Sequence, residues 1–299
     1  MGAEATMAIL APALCGDAGG RPLAGMVALV SGGGRGVGRL LGARLADAGA
    51  AVGLIARSPD ELATAVGEIS RAGGIAAGAA ADVSDKRAAA AAVAELRRRL
   101  GAEDILINNA GISGPIGPVW QARADDWWRA VEVNLGGAFV LAQRALAHMI
   151  AAGRGRIINI TSYAGVYRWP LMSAYAASKA ALVKLTETLA EETRPHGVSV
   201  FSVDPGLLPI GLGGAALRSG ADRQTPEGHV HGWIRDQFAA GRGADPEDAA
   251  RLVLTLASGR AARLSGRHLS VTENLDALLC RIDQIERDDL HTLRLRTGR

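Results

Sequence analysis

Tyr175 and Lys179 stand four residues apart in Tyr-Ala-Ala-Ser-Lys, a spacing that puts both on one helix face. A free phenol titrates near 10 and is a poor base at neutral pH. A neighbouring ammonium favours the phenolate. Lowering the pKa to about 7 requires roughly 4 kcal/mol of differential stabilisation, at about 1.36 kcal/mol per unit. The same spacing arises by chance on many helix surfaces, so the pair draws its meaning from its neighbours. Ser162 stands thirteen residues earlier, closing Asn-Ile-Thr-Ser. Asp82-Val83 and Asn108-Asn109-Ala110-Gly111 also close apolar runs, and Asn134 lies in an otherwise apolar stretch, where a buried amide must find partners.

A second group of residues concerns phosphate. Ser31-Gly32-Gly33-Gly34-Arg35-Gly36-Val37-Gly38 joins a short apolar run to a helical pattern. Glycine there lets the backbone approach a diphosphate, and the helix start offers free N–H groups and a partial positive charge. A dinucleotide is therefore the expected ligand. The next apolar run ends Ile55-Ala56-Arg57-Ser58. An acid at that position would accept from the 2′-hydroxyl of NAD. Arg57 in its place, with Arg35 nearby, suits a 2′-phosphate, because arginine–phosphate bonds are charge-assisted and often bidentate. NADP(H) is thus preferred over NAD(H).

These residues need a scaffold that brings distant strand ends together. Strands are predicted at 26–31, 51–56, 75–83, 104–108, 156–161 and 198–203, with helices at 37–50, 60–72, 85–100, 125–152 and 173–192. The strands are continuously apolar, as burial on both faces demands. Such alternation implies an α/β fold, a single Rossmann-like doubly wound parallel sheet of about seven strands with helices on both faces. In such sheets ligands bind at the carboxyl ends of the strands, where Ser162, Asn108 and Asp82 are found. Beyond Pro205, the glycine-rich stretch 207–243 with a helix at 226–238 reads as a lid. A capped helix opens at Asp245, a last strand is predicted at 268–271, leucine-spaced residues 275–285 predict a helix, and alternation at 293–296 suggests a strand or arm. The chain divides into a flexible extension 1–25, a catalytic domain 26–272, and a C-terminal helix and arm 273–299 packed on the domain or on a neighbouring subunit.

In order, Ser-Gly-x-x-x-Gly-x-Gly, Asp82, Asn-Asn-Ala-Gly, Asn134, Ser162, Tyr-x-x-x-Lys and Pro205-Gly206 resemble the short-chain dehydrogenase/reductase family from about residue 26 to 246. The resemblance implies a tetrad of Asn134, Ser162, Tyr175 and Lys179. Tyr175 exchanges a proton with the substrate oxygen and Ser162 polarises that oxygen. Lys179 holds the nicotinamide ribose and lowers the Tyr175 pKa, and Asn134 fixes a water leading to Lys179. Cofactor contacts are implied for Ser31, Gly32, Gly34, Arg35, Gly36, Val37, Gly38, Arg57, Ser58, Asp82, Val83, Asn109, Ala110, Gly111, Tyr175, Lys179, Pro205, Gly206 and Leu208. The family pairs subunits through the helices at 125–152 and 173–192, which implies a homodimer or homotetramer. Ile210 stands where many members carry a carboxamide-binding threonine, and the C-terminal text departs from the usual Asp-Gly-Gly ending.

The substrate pocket is expected from segments 163–172 and 207–242, with Ser162, Tyr163, Tyr167, Trp169, Leu207 and Leu212 against a hydrophobic ketone or secondary alcohol. His229 and His231, two apart on a helix, face different ways; a metal site is not expected and both are predicted solvated. Trp127 and Trp128 are predicted to pack rather than bind. Two cysteines without motif spacing, a net charge of +3 without a basic block, and no uninterrupted apolar run of about 20 residues argue against disulfides, nucleic acid and a membrane span. A small-molecule oxidoreductase of the cytoplasm is the leading expectation. The alternative is a non-catalytic NADP-binding sensor or scaffold on the same fold.

Overall fold

The computed structural model describes residues 21–295. The first twenty positions, with Cys15, and Arg296 near the other end lie outside the described residues. Seven strands form one sheet: β1 (Val27–Ser31), β2 (Ala51–Ala56), β3 (Ile75–Ala80), β4 (Ile105–Asn108), β5 (Gly155–Ile160), β6 (Val198–Asp204) and β7 (His268–Ser270). Their spatial order is β3-β2-β1-β4-β5-β6-β7, and every pairing is parallel. All five residues of β1 are buried because both faces are covered.

The helices are α1 (Gly36–Asp47), α2 (Pro59–Arg71), α3 (Lys86–Leu100), α4 (Ala124–Val131), α5 (Gly137–Ala152), α6 (Ser173–Thr193), α7 (Gly211–Arg218), α8 (Pro226–Ala239), α9 (Pro246–Ala257), α10 (Leu275–Cys280) and α11 (Ile282–Arg287). Leu41 and Leu45 of α1, Leu62 and Ile69 of α2, and Val253 and Leu256 of α9 fill one core layer. Val93 and Leu96 of α3, Leu141 and Met149 of α5, and Leu189 of α6 fill the other. Each such side chain contributes about 1.5–3 kcal/mol by leaving water. Local signals set the boundaries. Ser58 caps α2 by accepting from Glu61 N at 3.2 Å, Asp85 caps α3, and Asp245 caps α9. Gly153, at φ 65°, ends α5 in the left-handed conformation that glycine adopts without penalty. The strand order reverses direction between β1 and β4, which opens a crevice above their carboxyl ends.

The structure departs from the sequence expectations in several places. The helix predicted over 125–152 is interrupted by a π-helical turn, Glu132–Gly136, centred on Asn134. Such turns gather at functional sites. Residues 124–152 together are long and apolar enough on average to span a bilayer, which a search for uninterrupted apolar runs passes over. In the fold, α5 lies against α3 and the sheet through buried Val140, Leu141, Ala145 and Met149. The glycine-rich 207–243 stretch holds two helices, α7 and α8, where one was expected. The predicted 275–285 helix is broken at Arg281 (φ −107°, ψ 15°) into α10 and α11, whose Leu278, Ile282 and Ile285 enter the first core layer. No strand forms at 291–295. That segment is an arm tied to α6: the Leu293 amide donates to Glu187 at 2.6 Å, and Arg294 also pairs with Glu187 at 2.6 Å.

Candidate active site

Above the strand ends lies a cleft of about 1560 Å³. One half starts at the turn after β1, where Gly32, Gly34, Arg35, Gly36 and Val37 form the wall. No side chain caps the start of α1 and no acid occupies its first turn, so its first N–H groups remain available to an anion. A Cβ at Gly38 would lie 2.2 Å from Gly32 O, which only glycine tolerates. The ends of β2, β3 and β4 continue the wall with Arg57 and Ser58, with Asp82 and Val83, and with Asn109, Ala110 and Gly111. The Asp82 carboxylate is itself held: Ser84 donates to it from N (3.0 Å) and Oγ (2.7 Å), and Arg129 pairs with it. Burial opposes its ionisation, but these bonds leave its carboxyl below the usual range.

The opposite half is built by β5 and α6. Ser162 leaves β5 in extended geometry and accepts from Ala164 N at 3.2 Å. A Cβ on Gly165 would meet the Lys179 carbonyl carbon at 2.8 Å, so this close approach locks the loop after β5 onto α6. Tyr175, Ser162 and Lys179 all line the cleft. Lys179 Nζ lies 5.7 Å from the Tyr175 ring centroid and donates to Ile160 O at 2.7 Å. Asn134 is fully engaged by protein. Its Oδ1 accepts from Ile112 N (2.8 Å), and its Nδ2 donates to Ile112 O (3.0 Å) and Ser178 Oγ (2.9 Å). The upper wall is aromatic and apolar: Tyr163, Trp169 and Met172 from the loop before α6, Leu207, Leu208 and Leu212 after β6, and one face of α8.

The family model for short chain dehydrogenases matches residues 26–212. The chain is 35% identical over 235 residues to the 2-dehydro-3-deoxy-L-rhamnonate dehydrogenase (NAD(+)) of Sphingomonas sp., covering 79% of this chain and 89% of that one. It is 34% identical to 2-(S)-hydroxypropyl-CoM dehydrogenase 3 of Xanthobacter autotrophicus, with 84% and 97% covered. The solved structure of a single-substitution variant of actinorhodin polyketide ketoreductase with NADPH superposes with a TM-score of 0.76 at 31% identity, covering 82% of this chain and 95% of that one. This chain is a short-chain dehydrogenase/reductase. It is an oxidoreductase that works between alcohols and carbonyls with a nicotinamide cofactor.

Most of the catalytic, cofactor and substrate residues expected from the dehydrogenase/reductase sequence reach the cleft, and four do not. Ser31 is buried behind it, where its Oγ accepts from Asn109 N (3.0 Å) and Ala110 N (3.1 Å) and ties β1 to β4. Gly38 lies inside the turn, and Asn134 is buried behind Ile112. Tyr167 stacks on Tyr163 at 4.9 Å but points outward, being 59% exposed. Burial pushes the Tyr175 hydroxyl up to about 12, although a hydrogen bond with Ser162 works against this; the Asp204 charge adds to the rise. Burial pushes the Lys179 ammonium down to about 8.

Several lining residues were not singled out individually, although those of α8 fall in the expected 207–242 segment. Glu61, on the first turn of α2, approaches Arg35 at 3.6 Å and shares the Arg57 side of the cleft. Trp233, Ile234 and Gln237 of α8 line it as well. His231 was expected in solvent, but its side chain is 14% exposed and it lines the cleft, while His229 is exposed. Helix periodicity separates the two histidines and cannot say which faces the sheet. Trp127 packs, donating to Ser173 Oγ at 3.0 Å, whereas Trp128 is 59% exposed.

Proposed function

We propose that this dehydrogenase/reductase transfers hydride between NADP(H) and a hydrophobic ketone or secondary alcohol, with Tyr175 as the acid/base. The convergence of Tyr175, Ser162 and Lys179 on one wall of the cleft carries this reading. The nicotinamide, when bound, supplies the hydride. The protein supplies the proton, the polarising bond and the alignment. With its pKa pushed up to about 12, the Tyr175 hydroxyl holds its proton at neutral pH and enters carbonyl reduction as the donor. Ser162 donates to the substrate oxygen and strengthens its polarisation. Lys179 is still protonated at pH 7 and can donate to the cofactor ribose hydroxyls. Asn134 acts through others, fixing the 112 loop and Ser178 behind the reacting groups.

The preference for NADP(H) rests on β2 ending in Ala56-Arg57-Ser58 without a carboxylate, and on Arg35 across the turn. The Arg35–Glu61 contact is solvent-exposed and therefore weak, so a phosphate can displace it. One relative is named for NAD(+) and one solved structure is described with NADPH, so the reading rests on these residues of the chain itself. Residues 207–243, with α7 and α8, serve as a lid over the substrate. Exposed Phe139 and Ile150 on α5 support a homo-oligomer formed through that helix. Tyr175→Phe tests the chemistry: turnover of ketones with NADPH disappears while NADPH binding persists. Undiminished turnover in that variant rules out the acid/base assignment, whereas a wild type that binds NADPH and turns over no carbonyl or alcohol favours a sensor or scaffold role.

A further inference from the structure

One polar side chain in the upper wall has no role in the proton and hydride chemistry. Helix α8 lends the cleft Glu227, Val230, His231, Ile234 and Gln237, at helical spacings of three and four. Among them the Nδ1 of His231 is buried and makes no hydrogen bond with any described residue. This nitrogen belongs to a ring in the wall of a ligand-sized cleft, not in the core.

Glu227 Oε1 lies 3.8 Å from Nδ1, too far for a hydrogen bond and near enough for its charge to favour the proton on that nitrogen. The proton on Nδ1 leaves a lone pair on Nε2, and the ring then accepts from a hydroxyl. Beside it, Trp233 on the same helix meets Trp169 edge to face at 5.0 Å, and Trp169 meets Tyr163 edge to face at 6.5 Å. All three rings line the cleft. Such a wall favours a flat aromatic body.

We propose that His231 is the substrate-selecting residue of this site: it accepts a hydrogen bond from a hydroxyl on an aromatic ketone whose carbonyl oxygen is held by Ser162 and Tyr175. The assignment rests on the carbonyl-reductase reading above. A site built to bond a hydroxyl discriminates strongly against the analogue lacking it, because its own polar group is then stranded.

The test compares kcat/KM with NADPH for 2-acetylnaphthalene and for its 6-hydroxy and 7-hydroxy derivatives. It uses the wild type, His231→Phe, His231→Leu and His229→Phe. The wild type favours the better hydroxylated ketone over the parent by about tenfold or more. In both His231 variants this ratio falls to about 1, whatever happens to the parent ketone alone, while His229→Phe keeps the wild-type ratio. Equal use of parent and hydroxylated ketones by the wild type overturns the assignment, as does a ratio that survives both His231 variants; carbonyl reduction itself then stands, because the ketones are still turned over. Inertness of all three ketones with both cofactors overturns the aromatic-ketone assignment, and the His231 subsite falls with it.

Discussion

Replacing Arg57 with alanine tests the charge proposed to separate the two nicotinamide cofactors. Arg57 is exposed at the end of β2, in the cleft wall beside Ser58. A hydrogen bond between charged partners contributes about 1.5–3 kcal/mol when shielded. Exposure and salt reduce this to about 1–2 kcal/mol, or roughly five- to thirtyfold in Kd. Arg57→Ala should therefore weaken NADPH by that factor and leave NADH within about twofold, since NADH lacks the phosphate. Arg35→Ala should cost less, because Glu61 at 3.6 Å already draws on that guanidinium. Glu61→Gln should strengthen NADPH by about twofold, in keeping with a screened surface interaction below about 1 kcal/mol. The assay is titration of NADPH and NADH fluorescence at low and high salt, which needs no substrate. The reasoning fails if Arg57→Ala weakens both cofactors equally, or if the wild type binds NADH more tightly.

Three further outcomes can be checked directly. Lys179 is cationic below about pH 8 and neutral above, so NADPH affinity should hold at neutral pH and decline as pH rises past 8; Lys179→Met should flatten the profile, and a flat wild-type profile would exclude an ammonium contact. Gly38→Ala puts a methyl 2.2 Å from Gly32 O, so the turn must open; thermal melting should fall, by several degrees for each kcal/mol lost, and NADPH binding should weaken together with it. Hydrogen exchange should be faster over 207–243 than in β4 and β5, and equal protection would argue against a lid there.

The extent of sequence legibility follows from how far each feature depends on its neighbours. The strand and helix alternation up to Pro205 is local in origin: apolar runs long enough for buried strands, helical spacing between them, and caps such as Ser58 and Asp85. The glycine turn and the Tyr-x-x-x-Lys pair also fix their own geometry, because neighbours one helical turn apart meet whatever the tertiary context. Helix α7 was hidden for the opposite reason. Its Gly213 and Gly214 read as loop, but a Cβ there would lie 2.1 Å from Leu208 O and 2.5 Å from Pro209 O, so close packing and not flexibility requires them.

By itself, then, the sequence determined the parallel sheet, the strand ends at which Ser162, Tyr175 and Lys179 meet, and a second strand that ends without an acid. Only the folded chain decided that Ser31 and Asn134 brace the site instead of lining it, that a π turn surrounds Asn134, that His231 faces inward, and that burial pushes the Tyr175 hydroxyl up. Those outcomes depend on burial and on contacts between segments far apart in sequence. Helical or strand periodicity records which residues share a face, but not what that face meets.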